Sequence, residues 1–219
     1  MRPDPKVIAE RYAVGDGPAP PAAPLAEILR RPGVRPAMLA ALASFGVMVS
    51  VMNLSGYVVV EHHHHSQDSV FPIIGAHVFG MYALVLVVGT LIDRIGRPPA
   101  LVAGLAVMAA STIGLLWIDS VFATAILLFG LGVGWNVSFV AATAQLADRS
   151  SAAERGKLLG FNGLLSALLG AALALAGGYA LDSIGVAALA VGATAIVAAP
   201  ILWLLPSLGR IRPPEPVRR

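Results

Sequence analysis

The chain has 219 residues, of which 57% are hydrophobic and 12% charged, and its mean hydropathy is +0.80. A soluble domain of this size carries about a quarter charged residues, so most of this chain is solvated by lipid rather than water. The net charge of +3 comes from basic residues too scattered for a nucleic-acid surface, and the lack of cysteine excludes disulfides, thiolate metal sites and thiol nucleophiles.

Residues 1–36 mix charges and prolines without an apolar core segment, which excludes a signal peptide. Gly15–Pro24 reads as a linker stiffened by its prolines. Leu25–Arg31 predicts a short amphipathic helix that Pro32 and Gly33 stop.

A helix needs about 20 apolar residues to cross about 30 Å of hydrocarbon. Six stretches meet this: Ala37–Val60, Phe71–Ile92, Pro99–Ile118, Val121–Ala144, Leu158–Ala180 and Ile184–Leu205. They lack the period-two alternation of strands. The expected architecture is therefore an all-α membrane protein: a cytoplasmic linker-like segment 1–36, a six-helix domain 37–205 and a basic tail 206–219.

The connections alternate in charge. Arg30, Arg31 and Arg35 precede the first span, together with Arg2, Lys6 and Arg11. Arg94 and Arg97 follow the second, Arg149, Arg155 and Lys157 the fourth, and Arg210, Arg212, Arg218 and Arg219 the sixth. The loops Glu61–Val70, Asp119–Ser120 and Leu181–Ser183 have neither Lys nor Arg. The positive-inside rule then puts both termini in the cytoplasm, with the chain multi-pass in the cell (inner) membrane.

Small residues recur at helical spacing: Gly156, Gly160 and Gly163 on a face leading to Gly170, and Gly130, Gly132 and Gly134 in the fourth span. Tight helix packing is the expected use, with a substrate role the alternative. Asn136 and Asn162 are explained by interhelical hydrogen bonds or, less directly, by lining a path.

The turn after the second span reads Gly89-Thr90-Leu91-Ile92-Asp93-Arg94-Ile95-Gly96-Arg97. It resembles the G-x-L-x-D-R-x-G-R signature of the major facilitator superfamily, and Glu154-Arg155-Gly156-Lys157 is similar to that family's loop before the fifth helix. The resemblance implies twelve helices in two six-helix halves with the substrate path between them. This chain would supply the C-terminal half, and its partner would be an N-terminal six-helix half or a second copy of itself. The resemblance also makes Gly89, Asp93, Arg94, Gly96 and Arg97 a conformational motif. Asp93 would face the positive end of a neighbouring helix.

Two further spacings bear on chemistry. Met48 and Met52 share one face of the first span, and His77 and Met81 share one face of the second. Met48 and Met81 are at mid-span, and each partner is about 6 Å further outward at 1.5 Å per residue. Thioether and imidazole donors without formal charge suit Cu(I) better than hard cations. The pair resembles the copper-importing branch of the superfamily, which implies that Met48, Met52, His77 and Met81 handle copper as cargo, with no permanently bound cofactor. Methionine also fills core gaps, whereas an intramembrane histidine defaults to function. Met108 is expected to lie away from both faces.

The outer loop holds His62, His63, His64 and His65, a candidate metal-capture or pH-sensing loop unless it is a tag or an inert solvated turn. The chain has no nucleophile elbow, phosphate loop or clustered carboxylates, so it is not expected to be an enzyme. Copper import leads the functional reading. Efflux of small organic compounds and a non-transporting membrane partner module are the alternatives.

Overall fold

A computed structural model describes residues 21–208. The linker-like stretch up to Pro20, with Arg2, Lys6 and Arg11, and the basic tail from Gly209 onward, with Arg210, Arg212, Arg218 and Arg219, lie outside the described residues.

The described chain is helical. A short α1 (Leu25–Ile28) precedes α2 (Val34–Tyr57), which continues into a π-helical turn, Val58–His62. Pro32 and Gly33 separate α1 from α2 as expected, with Gly33 at φ +86°. A 3₁₀ turn, Gln67–Ser69, leads into α3 (Val70–Tyr82), followed by α4 (Val85–Ile95) and α5 (Arg97–Gly114). The chain closes with α6 (Val121–Asp148), α7 (Ala152–Ser183) and α8 (Val186–Leu208).

Not all of the expected spans appear as single membrane-length helices. Four helices are long and apolar enough to cross a membrane: Val34–His62, Val121–Asp148, Ala152–Ser183 and Val186–Leu205. A fifth is reached if Gln67–Tyr82 and Val85–Ile95 count as one span bent by 47°. The continuous helix expected over Phe71–Ile92 is therefore broken. Neither proline nor glycine is at the break, Ala83-Leu84. The break coincides with a change in packing: α3 is held closely on α6, whereas α4 buries only Val88 and Ile92 and leaves Leu86 90% exposed. The helix found for the third expected span, α5, has 18 residues and opens on Arg97-Pro98-Pro99. At 1.5 Å per residue it covers about 27 Å, slightly less than the hydrocarbon core.

The hub is α6, which packs on α3, α5 and α2; α7 lies along α2, and α8 against α5 and α2. Two glycine contacts set the hub's spacing. A Cβ on Gly132 would stand 2.4 Å from the His77 carbonyl, and one on Gly134 would stand 2.7 Å from the Gly104 carbonyl. Backbones this close exclude any side chain, as small-residue helix interfaces in lipid require. The expectation of tight packing fails at Gly156, Gly160 and Gly163, where an added Cβ would meet nothing within 4 Å. The stripe reaches a neighbour only at Gly170, 3.4 Å from Val49.

Candidate functional site

The best-defined polar feature inside the helices is His77. The α3–α6 approach at Gly80 and Gly132 seals its ring, leaving it 0% exposed. Nδ1 lies 2.9 Å from the Leu128 carbonyl of α6. A carbonyl only accepts, so Nδ1 carries the proton and Nε2 presents a lone pair. Nε2 is buried without a hydrogen-bond partner. One turn on, Asn136 donates through Nδ2 to the Met81 carbonyl, and its Oδ1 is likewise unpartnered.

Met48 and Met81 are both buried in the central apolar cluster, and Met52 packs at its edge. The three thioethers therefore belong to one hydrophobic body. The helices that carry the two spacings touch only narrowly, because α3 lies chiefly on α6. Met108 departs from expectation. It is fully buried in the same cluster, and its sulfur accepts from Ser44 Oγ at 3.4 Å and Ser138 Oγ at 3.7 Å. Ser44 and Ser138 are themselves 2.7 Å apart. Sequence spacing missed this α2–α5–α6 knot because a lone methionine and two serines have no period.

The histidines of the 62–65 loop diverge. The ring of His62 meets Tyr57 edge-on at 5.8 Å, and that of His63 meets His65 at 6.3 Å. His65 Nε2 donates to the Asp119 carbonyl at 2.7 Å, tying this loop to the one between α5 and α6. His64 takes φ +56°. Among the described residues no group of three or more His, Asp or Glu side chains is arranged to hold a metal ion. His63 turns inward instead, roofing a small apolar cavity that Ser55, Thr124 and Leu128 also line. Burial pushes its imidazole below the ordinary value, His65 and His62 add to this, and Asp119 opposes it.

At the other end, Gly96 makes the turn between α4 and α5 at φ +91°. Arg97 then binds Asp93 one helical turn back and Asp148 at the end of α6, the latter at 3.2 Å. Asp93 thus pairs with a side chain at the start of α5. Arg94 is exposed, and Gly89 has open space around it. A second ionic knot went unread in the sequence. Glu154, 4% exposed, takes two bonds from Arg31, at 2.7 and 2.8 Å, and one from the Ser151 amide at 2.9 Å. Glu154 in turn raises the Arg31 guanidinium above its ordinary value. The S-x-x-E spacing of Ser151 and Glu154 was the available signal, since it is a capping box.

With this geometry in view, the sequence profile of the Major Facilitator Superfamily matches residues 37–219. The Riboflavin transporter RfnT of Brucella anthropi is 34% identical over 166 residues, covering 72% of this chain and 38% of that protein. The Uncharacterized MFS-type transporter YdeG of Bacillus subtilis is 35% identical over 133 residues, covering 58% of this chain and 30% of that protein. The chain thus spans only about a third of the length of these curated relatives, 38% and 30%.

Proposed function

The chain belongs to the major facilitator superfamily, a family of multi-pass membrane transporters rather than enzymes, and on that premise we propose that it forms one six-span half of a two-half solute carrier. The bent pair α3–α4 serves as the second span and the short α5 as the third. Both termini face the cytoplasm of the inner membrane, as the basic connections argue. The other half is an N-terminal six-helix unit or a second copy, and the open face of Gly156, Gly160 and Gly163 suits a close helix neighbour.

The solute is a small organic molecule with a hydrogen-bond donor, met by His77 about one helical turn outward of mid-span. The observation that carries this is the unpartnered, fully buried Nε2, since a buried acceptor without a partner costs about 1–3 kcal/mol unless something fills it. The similarity to RfnT, a riboflavin transporter, supports an organic cargo. Riboflavin uptake by proteoliposomes of the assembled two-half carrier tests this. Uptake should fall to background in His77→Leu, and undiminished uptake ends the reading.

Copper is the second reading, favoured by the same lone pair together with the shared burial of Met48 and Met81. A soft monovalent ion prefers such donors. Cu(I) accumulation lost in Met48→Leu and Met81→Leu, with protein level kept, would favour it over the organic cargo.

A further inference from the structure

Between them, α2, α7 and α8 leave an open apolar groove of about 360 Å³. Leu39, Leu42, Ala43, Leu169, Ile196 and Trp203 line it. Leu39 is 40% and Trp203 56% exposed, so the groove faces outward. Arg35 precedes Leu39 by one helical turn and Leu42 by two, on the same face of α2. Its Nε donates to the Leu29 carbonyl at 3.1 Å, which fixes the guanidinium and leaves its two terminal nitrogens for another acceptor.

The surrounding charge favours an anion. Arg30, Arg149 and Arg155 are exposed at this end, and Lys157 holds the Ala23 carbonyl at 3.2 Å. Of the carboxylates described at this end, Glu154 is taken by Arg31 and Asp148 by Arg97, while Glu27 is exposed and forms no salt bridge. The start of α7 is closed by its own capping box, so the attraction belongs to side chains and not to a helix end. An indole at the rim matches the headgroup level, where tryptophan is enriched.

We propose that this groove is a phospholipid site: one acyl chain lies between α2, α7 and α8, and an anionic headgroup phosphate sits on Arg35. A planar guanidinium with two outward N–H groups suits a phosphate's paired oxygens. The basic end raises the preference for an anionic over a zwitterionic lipid.

The test is native mass spectrometry and thermal unfolding of the full chain in detergent, with phosphatidylglycerol, phosphatidylcholine or inorganic phosphate added. Phosphatidylglycerol should stay bound longest and raise the melting temperature most. Arg35→Gln should erase the difference between the two lipids, while Arg35→Lys keeps part of it. Ala199→Trp, at an exposed lining position, fills the groove and should remove both lipids. Three results overturn the proposal: equal lipid retention in wild type and both disabling variants, stabilisation by inorganic phosphate alone, or a groove covered by a second copy that dimer mass reveals.

Discussion

Arg31 and Glu154 are 123 residues apart in the chain, and the same separation recurs where Ser50 donates to the Leu173 carbonyl at 2.9 Å. Two parallel helices, α2 and α7, therefore hold one register from the Arg31–Glu154 knot to the Ser50–Leu173 bond. Breaking the knot should loosen α7 first. Glu154→Ala should lower the melting temperature, and hydrogen exchange should rise at the start of α7 before it rises in α6. Uniform exchange along both helices would contradict this.

Glycine substitutions should separate internal packing from external docking. Gly132→Leu drives a side chain into the α3 backbone, and overpacking of this kind costs about 1–3 kcal/mol or more. Gly160→Leu meets open space and should leave the stability of the isolated chain nearly unchanged. In the assembled carrier it should weaken association with the other half, which pull-down of a tagged partner half would measure.

The outer loop should respond to acid through His63. Its Nδ1 is buried without a partner, so protonation would place a second charged donor where nothing accepts it. Its folded pKa is lowered, so its contribution to stability is complete above the ordinary value of 6.5 and is lost as pH falls through the lower folded one. Melting temperatures at pH 7.5 and pH 5 should differ more for wild type than for His63→Gln.

Replacing the methionines should cost little stability. Met48→Leu and Met81→Leu keep approximate volume, and such swaps usually cost under ~1.5 kcal/mol. Met108→Leu also removes a fully buried sulfur that touches Ser44 and Ser138 between α2, α5 and α6, although the two hydroxyls keep each other and the Gly134 carbonyl as partners. It should lower the melting temperature more than either of the other two, and it is therefore not a neutral control for copper uptake.

Topology has a direct check, because the chain has no cysteine. A cysteine at exposed Ser66 should react with an impermeant maleimide in intact cells, and one at exposed Asp148 only after permeabilisation.

Much of the helical layout was legible because long apolar runs and their charged flanks are read by lipid and water directly. The stop after α1 follows from Pro32 and Gly33, the latter at a positive φ. The break at Ala83-Leu84 was not legible, since neither proline nor glycine marks it and it coincides with a change in packing. Burial was equally hidden: helices apolar on every side give no period to show that Gly132 is wedged and Gly160 bare. His77 stood out as a histidine in a span, yet its tautomer required the Leu128 carbonyl, which no residue type encodes.

That last contact bears on how this protein can change over time. His77 is hung from a main-chain carbonyl and wedged by main-chain atoms at Gly80 and Gly132. Every amino acid at position 128 supplies the same carbonyl. Side chains around the imidazole can therefore be exchanged one by one while the ring stays where it is, so the surroundings of His77 can drift across descendants without the helices having to be re-laid.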